Sequence, residues 1–232
     1  MPITICNAFA QGCAPDWDGI SALATAAATA AALLIPRWQR ARDQQDKQRA
    51  LAYSLVLKVM KIHSDIYKLW DHVVEQRQLA AAHGVRPDSG GFFRPLASSP
   101  TPVSFSSDEL AMLFAAKDDD AFNAVLSMDE VHASVIANMQ MYAEKRDALS
   151  KMLPGGEISG LVGSIELNAD ELARFAPFSA QLDMLVVDIA ASIERHLGQA
   201  KDALIRLHAV TINLGLKVGF TLPDGTVYPQ KR

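Results

Sequence analysis

Cysteine is almost missing from this chain: two residues, Cys6 and Cys13, stand in 232, which excludes a disulfide scaffold. Aromatic residues make up only 7%, whereas alanine occurs 36 times. Strands favour aromatic and β-branched residues and alanine has the highest helix propensity, so the composition predicts helices. A basic excess is also missing, because the net charge is −4. This excludes nucleic acid as a partner of the whole surface.

The sequence also lacks the short motifs of common enzymes: a glycine-rich phosphate loop, a nucleophile elbow and paired zinc cysteines. Asp129 with His132, and His72 with Glu75, have helical spacing. A di-iron bundle instead needs two Glu-x-x-His motifs and two further glutamates. We therefore predict no catalytic activity, no cofactor and no metal site. The isolated histidines, His63 among them, fall mostly on polar faces and are predicted to lie at the surface.

Residues 17–36 form the longest stretch of low polarity, with no charged residue from 19 to 36. Trp17 and Trp38 are 21 positions apart, which on a helix corresponds to about 31 Å. A bilayer's hydrocarbon core is about 30 Å thick, and tryptophan is enriched at both interfaces. The pattern predicts a transmembrane helix over 17–36. Its alanine content makes insertion marginal, since alanine gains little from lipid.

A basic segment follows at residues 37–49, where five cations and two aspartates give a net charge of +3. Residues 1–16 contain no lysine or arginine. Because positive charge is retained in the cytoplasm, this asymmetry predicts an external N-terminus and a cytoplasmic C-terminal domain. The predicted membrane-interface residues are Trp17, Arg37, Trp38, Arg40 and Arg42.

The external tail, residues 1–16, holds both cysteines. An extracytoplasmic space is oxidising, so Cys6 and Cys13 are candidates for a disulfide, either within one chain or between two chains.

Residues 50–232 are predicted to form a bundle of long antiparallel helices that continues from the anchor. Two seams of apolar residues carry this prediction. The first is spaced by fours and threes: Leu55, Val59, Ile62, Ile66, Leu69 and Val73. The second is as regular and starts at Leu182: Leu182, Val186, Ile189, Ile193, Leu197, Ala200, Leu204 and Leu207. Such spacing is typical of helices that bury one face.

Helix-capping and helix-breaking residues divide this bundle into helices and loops. The first long helix is predicted to end near Gly84, before a loop over 84–106 that is rich in glycine, proline and serine. Ser106 with Glu109 has the spacing of a capping box, as does Asn168 with Glu171. The segment 219–228 has β-formers on both sides of Pro-Asp-Gly and predicts a small C-terminal β-hairpin.

The N-terminal part resembles a broad class of uncharacterised bacterial single-pass membrane proteins with a W-x-x-ISA-x-ATA type of anchor. The residues that carry the resemblance lie within about 15–80: Trp17, Ile20, Ser21, Ala22, Ala24, Thr25, Ala26, Trp38, Gln39, Arg40 and Arg42. The resemblance implies an inner-membrane location and a helical cytoplasmic domain, and it carries over no catalytic residue.

The sequence thus favours an all-α, membrane-anchored interaction or scaffold protein whose partners are the lipid bilayer and either another protein or a second copy. Two alternatives stay open. In the first, the protein is a soluble bundle and the alanine-rich helix belongs to its core. In the second, the bundle binds a metal or another ligand.

Overall fold

The computed structural model describes residues 17–96, 98–152, 168–216 and 219–228. Four helices account for most of this part of the chain: α1 (Trp17–Ala82), α2 (Ser107–Ala115), α3 (Asp119–Met152) and α4 (Ala169–Asn213). Two short strands follow, β1 (Phe220–Thr221) and β2 (Val227–Tyr228). The chain divides into two compact units, residues 1–48 and 49–232. The mostly helical character that the composition predicts is confirmed.

In the first unit, the described backbone belongs to α1, which continues through Pro36. Side chains from Ser21 to Lys47 are all exposed. The alanines favour a helix in this part, since alanine loses no side-chain entropy in a helix.

In the second unit, the later part of α1 contributes one wall of the core. All six residues of the first predicted seam, Leu55 to Val73, are at most 1% exposed. The helix ends two residues before Gly84, whose φ of +67° is a conformation that only glycine adopts without strain. The predicted seam and the predicted end of the helix are therefore both confirmed.

α3 and α4 pack against each other and complete the core. They run antiparallel, because Asp120 at the start of α3 pairs with Arg206 near the end of α4 at 2.8 Å. The capping box of Asn168 and Glu171 begins α4, as its spacing predicts. Pro177 does not interrupt this helix. The second seam is also confirmed, because Leu182, Val186, Ile189, Ile193, Ala200, Leu204 and Leu207 are buried and Leu197 packs against them.

The loop between α1 and α2 is fixed to the bundle at Gly90. Its carbonyl accepts a hydrogen bond from the Tyr142 hydroxyl at 2.6 Å, and its N–H donates to Asp183 Oδ1 at 2.7 Å. The Tyr142 hydroxyl also reaches the Phe93 carbonyl, and the Phe93 ring is 1% exposed. Burial raises the pKa of Tyr142 above its ordinary value, so the hydroxyl keeps the proton that it donates.

The C-terminal segment 219–228 forms a two-stranded antiparallel pairing of only two residues per strand, with Phe220 opposite Tyr228 and Thr221 opposite Val227. Asp224, in the turn between the strands, accepts a hydrogen bond from Lys201 of α4 at 2.7 Å. This bond lowers the pKa of Asp224. The predicted hairpin is thus present only as this short pairing.

Gly90→Ala should destabilise the second unit. A Cβ at this position would lie 2.3 Å from the carbonyl carbon of Leu182, and because that atom is backbone, the loop or α4 must shift. Shifts of this kind cost about 1–3 kcal/mol. Urea unfolding of the full chain in non-ionic detergent, followed by far-UV circular dichroism, measures the loss.

Gly91→Ala is the matched control, because a Cβ there meets no atom within 4 Å. We expect it to leave the unfolding midpoint unchanged or to raise it slightly, since alanine restricts the unfolded chain. Equal midpoints for the Gly90 and Gly91 variants would contradict the close docking of the loop on α4.

Candidate functional site

The exposed apolar residues of the first unit form its most unusual surface. Leu33, Leu34 and Ile35 are 67%, 62% and 51% exposed, and Leu23 is 73% exposed. Burying such side chains stabilises by about 1.5–3 kcal/mol each. We call the run from Ser21 to Ile35 the apolar segment. In water, the four large apolar side chains of this segment therefore lack the stabilisation that burial would give them.

Two hydroxyl groups within the apolar segment are already satisfied by the helix itself. Thr25 Oγ1 donates to the Ser21 carbonyl and Thr29 Oγ1 donates to the Thr25 carbonyl, both at 2.8 Å. Within this α-helical part the backbone amides and carbonyls are paired internally as well. The threonines can therefore enter an apolar environment without leaving a hydroxyl donor unpaired.

At the end of the apolar segment the surface changes from apolar to basic. Trp38 is 64% exposed, and the Arg42 guanidinium carbon lies 5.6 Å from the centre of its ring, a cation–π contact. Arg37 and Arg40 are exposed on the same helix. Four of the five predicted interface residues are thus exposed along one short stretch of α1.

The other predicted residues of this region lie outside the part that the structure describes. These are the side chain of Trp17 and both cysteines, Cys6 and Cys13. Their proposed roles stay predictions.

By length and composition, α4 is the described helix that is apolar enough to cross a membrane: an 18-residue stretch of it has a mean hydropathy of 1.3. Its seam is buried against the other helices, so α4 is a core helix of the second unit. The predicted span at 17–36 is a different part of the chain, and its membrane insertion stays a proposal.

The second unit contains two buried polar clusters, and the first surrounds Glu109 of α2. This carboxylate is 2% exposed and accepts hydrogen bonds from Ser54 Oγ at 2.6 Å, Lys58 Nζ at 2.8 Å and the Ser106 amide at 2.7 Å. Burial alone would raise the pKa of Glu109, but these bonds outweigh it and lower that pKa. The capping box is confirmed, and the two α1 partners attach α2 to the bundle.

The second cluster surrounds His132 of α3, which is completely buried. Its Nδ1 accepts from the Val103 amide at 3.3 Å, which places the ring proton on Nε2, and Nε2 lies 3.3 Å from Asp65 Oδ2 of α1. Burial lowers the pKa of His132, although Asp65 partly opposes this. The neutral imidazole therefore connects α1, α3 and the loop.

His63 corrects a prediction, because it is 1% exposed rather than at the surface. It stacks on Tyr67 at a ring distance of 6.5 Å, and burial lowers its pKa. Its position between two seam residues, Val59 and Ile66, was the available signal for burial.

The histidines of the two pairs with helical spacing, His72 and His132, face other groups. His72 faces the Arg94 carbonyl at 2.9 Å, and His132 faces Asp65. Within residues 17–96, 98–152, 168–216 and 219–228, no three histidine, cysteine, aspartate or glutamate side chains cluster as a metal site would require. His132 and Glu109 are buried, and each forms hydrogen bonds to a different element of the fold. Their role here is to connect these elements.

No model of a protein family matches the chain. No curated protein matches it. No solved structure matches it either. The surface chemistry and the contacts described above are therefore the basis for a functional proposal.

Stability of the second unit should fall as the pH drops below about 6.5, the ordinary histidine pKa. Burial lowers the pKa values of His63 and His132, so the unfolded chain takes up protons at a higher pH than the folded one. The histidine contribution is fully present above the unfolded pKa and is lost below it, at most about 1.4 kcal/mol per pH unit for each residue.

His132→Asn tests this origin, because asparagine offers an acceptor to the Val103 amide but does not titrate. Urea midpoints at pH 7.5 and 5.5 should differ less for this variant than for the wild type. His83→Asn, which replaces an exposed histidine, should keep the wild-type difference. An unchanged difference in the His132 variant would show that its burial does not couple to protonation.

Proposed function

We propose that this protein is a single-pass membrane-anchored helical interaction protein. Residues 17–36 span the bilayer, residues 37–49 lie at its cytoplasmic face, and the bundle of residues 50–232 binds another protein. The observation that carries the proposal is the exposure of every side chain from Ser21 to Lys47, which includes the apolar segment within the charge-free run from 19 to 36.

Lipid accounts for this exposure better than water does. The apolar segment presents Leu23, Leu33, Leu34 and Ile35 with no charged side chain among them. Soluble proteins rarely leave contiguous apolar surface of this kind uncovered. The satisfied hydroxyls of Thr25 and Thr29 remove a further cost of entering hydrocarbon.

The flanking residues support one orientation. Trp38 and Arg42 follow the apolar segment directly, and tryptophan and arginine prefer the membrane interface. The net +3 of residues 37–49 favours a cytoplasmic position, with contacts to anionic headgroups worth about 1 kcal/mol per cation. The N-terminal tail is then outside. The resemblance to bacterial anchored proteins supports an inner-membrane location for the anchor.

An interaction role for the bundle follows from its chemistry. Residues 1–36 carry two aspartates and residues 37–49 a net +3, so the overall −4 leaves −5 for residues 50–232. A mildly acidic surface suits a protein partner and disfavours nucleic acid. The buried polar groups Glu109 and His132 already serve to join helices.

The soluble alternative requires that the alanine-rich helix belongs to a core. Its exposed side chains do not fit that role within one chain, so a soluble form would need copies that cover one another's apolar segments. The two alternatives differ in where the protein fractionates.

Ala27→Arg should release the protein from membranes. A charge at the centre of a span costs about 2.5–3.5 kcal/mol on the insertion scale, and a segment this rich in alanine cannot offset that cost. In water the same change is harmless, since Ala27 is exposed and arginine is a good helix former. Carbonate-washed membranes probed by immunoblot measure the distribution.

The control is Ala41→Arg, an exposed position within the basic segment. We expect the wild type and this control in the membrane pellet and the Ala27 variant outside it. Recovery of the wild type in the carbonate supernatant would reject the anchor, as would equal retention of all three proteins.

A further inference from the structure

The outer face of α4 carries several large apolar side chains that are exposed. Of the residues in its most apolar 18-residue stretch, only 28% are buried. Leu182, Val186 and Ile189 face the core, whereas Met184 and Val187 are 67% and 47% exposed. α4 therefore has an apolar surface that the described helices leave uncovered.

A cavity of about 440 Å³ opens at this surface, between α4 and the loop that follows α1. This volume is within the range of binding pockets. The side chains around it combine apolar and charged groups: Arg86, Asp88, Asp183, Met184, Val187 and Asp188.

The position of this loop is fixed by several independent contacts. Asp183 binds the Gly90 amide at 2.7 Å and also pairs with Arg86. Arg77 Nε donates to Asp88 at 2.7 Å. These contacts fix the loop at the edge of the cavity.

The three carboxylates at the cavity differ in whether they have an ion-pair partner. Asp88 pairs with Arg77 and Asp183 pairs with Arg86, but Asp188 has no ion pair or hydrogen bond among the described residues. One turn before it on the helix is Met184, so an unpaired carboxylate stands directly beside the apolar surface. A ligand that matches this cavity is apolar with a cation at its edge.

We propose that this cavity is a docking site for a basic amphipathic helix of a partner protein. An apolar side chain of that helix packs on Met184 and Val187, and a lysine or arginine pairs with Asp188. Methionine surfaces adapt to helices of this kind. The carboxylates disfavour an anionic membrane surface or an acidic segment as the occupant. This deepens the interaction half of the proposed function, and it does not depend on the anchor.

Arg86 gives the proposal a distinctive consequence. Its side chain is 77% exposed and neutralises Asp183 at the cavity, so it competes with an incoming cation. Removing it leaves Asp183 held by the Gly90 amide and adds one uncompensated negative charge. Arg86→Ala should therefore tighten binding of a basic helix, which loss of structure would not do.

The test uses the full chain in dilute non-ionic detergent, with the same detergent alone as the blank. The probe is a labelled peptide of about 18 residues with leucine on one helical face and lysine elsewhere, compared with its leucine–glutamate counterpart by fluorescence anisotropy. We expect the lysine peptide to bind at least about tenfold more tightly.

Variants then locate the site. Met184→Ser should weaken binding about tenfold and Asp188→Asn about threefold, whereas Arg86→Ala should strengthen it about threefold. The matched controls are Ile205→Ser and Asp202→Asn, both exposed further along α4, and they should bind as the wild type does.

Equal affinity for the two peptides would overturn the proposal, as would equal effects of the Met184 and Ile205 variants. Self-association that Met184→Ser abolishes, without peptide binding, would assign the face to a second copy and would also overturn it. None of these results alters carbonate fractionation, so failure here is distinct from failure of the anchor.

Discussion

An apolar surface in water must be covered, and this requirement governs the first unit of the protein. The apolar segment, Ser21 to Ile35, is helical because of its alanines, and all of its side chains are exposed. A helix of this kind has its backbone polar groups paired internally, and Thr25 and Thr29 pair their hydroxyls in the same way. What it lacks is an apolar environment. In the proposed function a bilayer supplies one, and the change to Trp38 and the arginines marks the bilayer surface.

The second unit meets the same requirement by packing, and it uses buried polar groups to fix the connections. Glu109 ties α2 to α1 through Ser54 and Lys58. His132 ties α3 to Asp65 and to the loop. Leaving any of these groups buried without its partner would cost about 1–3 kcal/mol, so each contact determines one arrangement of helix and loop. The cavity on α4 lies beside a different part of the loop, which Asp183 and Arg77 hold in place.

Much of the fold follows from local patterns in the sequence. The seams at Leu55–Val73 and from Leu182 onward depend only on helical periodicity, and Gly84 and the Asn168 capping box depend only on backbone chemistry. The contacts that form the sites are not local. Asp65 meets His132 and Gly90 meets Asp183 across 67 and 93 positions, and no pattern within either segment indicates its partner. His63 differs from these contacts, because its helical phase relative to Val59 and Ile66 indicates burial even though the imidazole is polar. Whether a helix is exposed depends on how the rest of the chain folds. The exposure of the apolar segment is therefore known from the structure and does not follow from its own sequence.

The central claim is that lipid surrounds the apolar segment. Single cysteines introduced from position 21 to position 47, in a chain whose Cys6 and Cys13 are replaced by serine, test it directly. Reaction with a membrane-impermeant maleimide in native membranes gives a profile along one helix whose side chains are all exposed in the structure. The account predicts no reaction from 21 to 35 and strong reaction beyond Trp38 once the membranes are opened. Uniform reaction along the whole helix in intact and opened membranes would contradict it.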